Sequence, residues 1–306
     1  MKVLALCFVA LIFCSQAKSC VNYSGAGTKF NGAWTSGTSP RRIMELMRAR
    51  SRDLQGEGLE MEAALRGATN FNDRSDYSIA LMYLGRSQEA VALLQTLEKE
   101  QPGKYFIAAN LGTACELAGN NEEAARWIAE GIRRNPKSHE GTEWLHLKVL
   151  EAKIAQQKDS NYFKTHTVLN LTPQEIRGNT LLGEEKLHPA EMEEAIQHQL
   201  TERMQFVKPP DPAVASLLFD YAAIEAATRT LESAKEILRL AVSYGYPSEK
   251  VDPLSRLYNQ RIAWRKVQQR GFYILLVFGA IALLGVLYKK GIFVLSGRDL
   301  PRRSRA

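Results

Sequence analysis

Five consecutive residues come closest to a chemical motif. His139-Glu140-Gly141-Thr142-Glu143 begins like HExxH, in which two histidines one helical turn apart hold zinc and the glutamate serves as base. The second histidine must stand four positions on to share a helix face with the first, and Glu143 occupies that place. His146, two turns along from His139, could approach the face, but spacing marks neither a third ligand nor a separate base. His166, His188 and His198 fall on unrelated segments. There is no glycine-rich phosphate loop and no GxSxG, and no local signature groups a Ser, His and Asp. Removal of an N-terminal leader would leave only Cys20 and Cys115, too few for a thiolate metal site. The residues point away from an enzyme, a metal centre or a cofactor, and towards binding.

A binding surface would be positioned by a repeat over residues 76–136. Tyr77 aligns with Leu111, Leu81 with Cys115, Gly85 with Gly119, Glu89 with Glu123, Ala90 with Ala124, Leu94 with Ile128 and Pro102 with Pro136, always 34 residues apart. Apolar residues in each row recur three or four apart, which predicts helices. Gly85 and Gly119 stand where a first helix must end, since glycine tolerates a left-handed cap. Ala90 and Ala124 are small enough to let a second helix come close, and Pro102 and Pro136 stop it. One such hairpin cannot bury its apolar face alone and must stack on its neighbours.

Leu111-Gly112, Cys115, Ala124, Ile128, Gly131 and Pro136 fall at the signature spacings of the tetratricopeptide repeat, which the chain resembles over about two units, 71–104 and 105–138. Ser78 departs from the pattern by replacing a usual glycine. The run from Gly103 to Ile154 is similar to signal-peptide-bearing, membrane-anchored tetratricopeptide proteins of bacterial envelopes with no assigned activity. The resemblance implies an all-α fold, a solenoid of helical hairpins, with a groove lined by the first helix of each pair. On that register Ile79, Met82, Tyr83 and Phe106 would form an apolar floor, with Asn110 and Thr113 beside it and Glu116, Glu140 and Glu143 at acidic edges. Such a surface would take a protein segment carrying apolar and basic residues. A carboxylate clamp of the kind some of these repeats use is excluded, because only Asn110 fits it and Glu140 would repel a carboxylate.

The remaining chain reads in order. Residues 1–17 form a signal peptide, with Lys2, the apolar run Val3–Phe13 and the small-residue end Ser15-Gln16-Ala17. Lipid on Cys20 or Cys14 fits poorly with Lys18 and Phe13 before them, and a Cys20–Cys115 disulfide has no support from spacing. Residues 18–39 are a polar linker; Asn22-Tyr23-Ser24 and Asn170-Leu171-Thr172 match the glycosylation sequon. Helical hairpins are expected over 40–158, opening at Ser39-Pro40 with an arginine-rich helix whose charges read as a solvated face. Residues 159–212 are an irregular insertion, with a short strand or turn over 165–171, followed by a helix from Pro189 whose inner face is Met192, Ile196, Leu200 and Met204. Residues 213–270 give a degenerate hairpin and a closing helix.

Residues 271–288 are almost wholly apolar and, at about 1.5 Å each, just span a hydrocarbon core. Arg265, Lys266 and Arg270 precede them, Lys289 and Lys290 follow, and Tyr273 and Tyr288 suit the two interfaces. The tail 289–306 has six basic residues and one acid, net +5 of the chain's +7, so the basic balance reads as membrane topology and not as nucleic-acid binding. The expectation is a single-pass membrane protein with exported repeats, periplasmic in a bacterial cell, and a cytoplasmic tail. It would act as a scaffold for protein partners or, alternatively, as a permanent structural subunit of an envelope complex.

Overall fold

The computed structural model describes residue 22 and residues 54–177 and 181–290, and among these every regular element is helical. The chain divides into two units, one running to Asp252 and one from Pro253. The signal peptide, the rest of the linker, the helix expected at Ser39-Pro40 and the tail beyond Lys290 lie outside the described residues.

In the first unit α1 covers 54–65, followed by α2 Phe71–Tyr83, α3 Ser87–Glu100, α4 Tyr105–Leu117 and α5 Asn121–Arg134. The repeat sets their ends. Gly85 takes φ +74° and Gly119 φ +85°. After each, the chain folds back in the same way: Arg86 N–H donates to the Leu81 carbonyl at 2.8 Å, and Asn120 N–H to the Cys115 carbonyl at 2.9 Å. Helices α2 to α5 pack each on the next, and α5 on α6. Ala90 and Ala124 are fully buried at the crossings. A Cβ on Gly112 would stand 2.6 Å from the Ile128 side chain, so bare backbone is what lets α5 approach α4. The equivalent Ser78 fits because its buried hydroxyl is satisfied within its own helix, donating to the Ser75 carbonyl at 2.6 Å. Ile79, Leu81, Leu94, Ile107, Leu111 and Ile128 belong to the resulting core.

A one-turn 3-10 segment, Ser138–Gly141, leads into α6 Glu143–Lys158, which is not followed by a long helix to complete its hairpin. The insertion instead holds two short helices, α7 Tyr162–Thr165 and α8 Pro173–Arg177. The strand considered for 165–171 does not form. The Val168 N–H donates to Ser216 Oγ at 2.9 Å and the Leu169 N–H to Asp220 Oδ2 at 3.0 Å, so helix side chains take the donors a strand neighbour would have used. Both acceptors belong to α10 Pro212–Thr228, which pairs with α11 Leu231–Ser243, the hairpin the sequence predicts. Between them in sequence and the insertion lies α9 Pro189–Phe206. Only one apolar face of it was expected inside, yet Glu193, Gln197, Gln199, Thr201, Arg203 and Gln205 are buried along with Met192, Ile196, Leu200 and Met204.

The second unit is carried by α12 Ser248–Lys289, 42 residues without a break. The closing helix and the apolar stretch are thus one helix, with Pro253 in its second turn. Its most apolar 18-residue window has mean hydropathy 2.3 and is 0% buried, long and apolar enough to cross a membrane.

Two outcomes follow. Ala124→Leu inserts three carbons into a filled crossing and should lower urea-unfolding stability by about 1–3 kcal/mol; a loss under about 0.3 kcal/mol would mean that the α4–α5 crossing is not tightly filled. Asp220 gives a pH test. Burial pushes its pKa up to about 7, against the hydrogen bonds from Thr167 and the Leu169 N–H that favour the anion. With the folded value above the unfolded one, its contribution is fully present below about pH 4 and lost as pH rises through about 7. Asp220→Asn keeps an acceptor for Leu169 without the titration, so it should gain on the wild type between about pH 5 and 8, measured as urea midpoints at both. An unchanged difference at the two pH values would show that Asp220 does not titrate there.

Candidate binding site

Six of the nine residues assigned to the groove are buried: Ile79, Met82, Asn110, Thr113, Glu116 and Glu143. Tyr83 and Phe106 are half-buried, and the side chain of Glu140 lies outside the described residues. The open apolar floor is therefore corrected: the chain covers it with its own segments. Ile79 and Met82 belong to the core, and Phe106 packs edge-on against Phe71 at 6.3 Å. Phe206, the last residue of α9, stacks on Tyr83 with ring centroids 5.5 Å apart.

Glu116 holds α9 in place. Arg203 reaches its carboxylate with both terminal nitrogens, Nη1 to Oε1 and Nη2 to Oε2. Lys153 Nζ donates to Oε1 at 2.8 Å, and His146 Nε2 lies 2.8 Å from Oε2. Burial alone would raise the pKa of Glu116, but Arg203, Lys153 and His146 outweigh it and hold the carboxyl well below its ordinary range. Glu143 is held down in the same way, by His139 and His146 against burial. His146 therefore sits between two carboxylates, its Nδ1 3.5 Å from Glu143. Burial opposes its charge, yet those carboxylates raise its pKa, and Glu143 does the same for His139. His139 is buried at φ +50°, with its ring 5.5 Å from that of His198 on α9. Burial and the nearby His139 push His198 down to about 4.

A second seam joins α9 to α10. Gln197 donates from Nε2 to Glu193 and to the Tyr221 hydroxyl, each at 2.8 Å. Arg229 Nε stands 2.8 Å from Glu193. Burial and the Glu193 carboxylate push Glu225 up to about 7. A small space of about 20 Å³ lies beside Glu116, Arg203 and Phe206, room for one water.

Asn110 meets a different segment. Its Oδ1 accepts the Asn22 N–H at 2.7 Å and its Nδ2 donates to the Asn22 carbonyl at 2.9 Å. Asn22 is itself buried, so the folded state shields this sequon asparagine, whereas the other, Asn170, is exposed at φ +49°.

The geometry offers electrostatic fastening more than chemistry. Glu116 and Glu143 are anions enclosed by cations and are not poised to accept a proton near neutral pH. Cys115 is a buried free thiol that burial pushes up to about 11. Among the described residues no group of three or more His, Cys, Asp or Glu side chains could hold a metal ion. Arg203, Lys153, His146 and His198 were not assigned to the site from sequence. The only signal was that acidic groove positions call for a basic partner; nothing in the periodicity of α9 says that the partner is Arg203.

Arg203→Ala leaves Glu116 without its main counter-ion and should cost about 3–5 kcal/mol in urea unfolding. Glu116→Gln combined with Arg203→Met removes both charges and should recover most of that loss. A single-variant cost under about 1 kcal/mol would place the pair in solvent. Comparison with protein-family models, curated proteins and solved structures finds no match to this chain.

Proposed function

We propose that this chain is a membrane-anchored scaffold of tetratricopeptide-like hairpins. Its repeats are exported, its apolar helix spans the membrane and its basic tail lies in the cytoplasm, so it acts by protein contact and not by catalysis. The observation that carries this reading is what the first helices hold. Tyr83 and Glu116 receive an aromatic ring and a guanidinium from a helix, the apolar-and-basic kind of segment the repeat register calls for. The exposed apolar window of α12 supports the anchor, since 18 unburied apolar residues would be a costly surface in water. The second reading is a permanent structural subunit. The burial of α9 favours it, because a face filled in cis turns over partners only by opening.

Photo-crosslinkers at Phe106 and at exposed Leu59, used in cells and followed by gentle detergent extraction and native sizing, test both readings. The scaffold predicts an adduct with a discrete protein and a complex that dissociates on extraction. The subunit predicts an adduct within a stable large assembly. A free monomer with no adduct at either position contradicts both. A reporter active only in the cytoplasm, fused after Ala306, should be active; its silence beside an active export-dependent reporter would reverse the topology.

A further inference from the structure

We infer that α4 carries a main-chain clamp for an extended peptide, with Asn110 as its reading group and the segment at residue 22 of this same chain as its occupant. A residue in extended conformation directs its N–H and C=O to the same side, and an antiparallel neighbour satisfies both at once. The Asn110 carboxamide has an acceptor and a donor side by side and reproduces that neighbour, at 2.7 and 2.9 Å from the two backbone atoms of Asn22. The contact closes over 88 residues of sequence and is buried on both sides.

Two further observations decide what the clamp reads. Among the described residues the Asn22 side chain adds no hydrogen bond to it, and its Nδ2 is buried without a partner. The site therefore recognises backbone and not the residue type. Among the described residues the Asn110 side chain, fully buried, makes its hydrogen bonds to residue 22, so release of that residue would strand a buried amide. The clamp is neutral, unlike the Glu116–Arg203 fastening two turns further along α4. It goes beyond the scaffold reading and does not depend on it: the anchor and any partner could be disproved with the clamp intact.

The test uses the full-length chain in detergent and trypsin cleavage at Lys29, seven residues beyond Asn22. Asn110→Ala removes the reader, Asn22→Pro removes the backbone donor without touching α4, and Asn22→Ala removes only the unpaired side chain. Asn110→Ala and Asn22→Pro should be cut at Lys29 about tenfold faster than the wild type or more. Asn22→Ala should be cut at the wild-type rate, and cleavage within α2–α5 should be unchanged in all three. Asn22→Pro keeps the inference testable should Asn110→Ala fail to fold. Equal rates in all four proteins would mean that something else holds the segment, another part of the chain or a partner, and would overturn the clamp. Asn22→Ala matching the two damaging variants would also overturn it, by showing that the side chain is what the site reads.

Discussion

The first unit depends on one constraint: a carboxylate in the interior must be surrounded by cations. Glu116 is nearly excluded from solvent. Leaving it unpaired would cost several kcal/mol, more than most single contacts supply. Lys153 and His146 come from α6, but the fork that meets both oxygens belongs to Arg203, and Arg203 belongs to α9. The need for that guanidinium fixes where α9 lies against α4, and the rest of its placement follows. Once Arg203 is on Glu116, Phe206 is three residues further along the helix and falls on Tyr83 of α2. Glu193 and Gln197 then meet Tyr221 and Arg229 on the other side.

This arrangement explains how so polar a helix can be buried on every side. Glu193, Gln197 and the terminal nitrogens of Arg203 each find a partner outside α9, so burial does not strand them. The accounting is incomplete at Gln199, whose amide oxygen and nitrogen are both buried without a hydrogen bond, and at His198 Nε2. A leucine at 199 would avoid that cost. The polar sequence of α9 is thus not what packing alone would select, and Gln199 has no physical account in the contacts around it.

The hairpins were legible because their signals are local and doubled. Gly85 and Gly119 end helices for a reason internal to each turn, and the same step relates Ala90 to Ala124 and Pro102 to Pro136. The pairing of α10 with α11 was legible for the same reason, from apolar spacing interrupted by a capped turn. The burial of α9 was not. Met192, Ile196, Leu200 and Met204 announce one inner face, while Gln197, Gln199 and Arg203 look solvated to any periodicity argument. Arg203 is held inside by a carboxylate 87 residues away, and Gln197 by the Tyr221 hydroxyl on α10. The insertion failed to read for a related reason: Val168 and Leu169 stand in a bend whose donors go to side chains of a helix, and no alternation in sequence records that. At the site, the register places Glu116 and Tyr83 beside one another along a groove, and nothing in that register says that Arg203 and Phe206 of the same chain lie on them.

Two kinds of recognition therefore operate on one helix. At its middle, Asn110 grips a backbone through neutral hydrogen bonds that salt does not screen. At its end, Glu116 grips a guanidinium through charge, but in a place so enclosed that ions in solution screen it little. Neither contact should soften at the ionic strengths that loosen exposed ion pairs such as Arg133–Glu130 on α5. The positions that the repeat register would place along a groove are thus covered by contacts that salt loosens little.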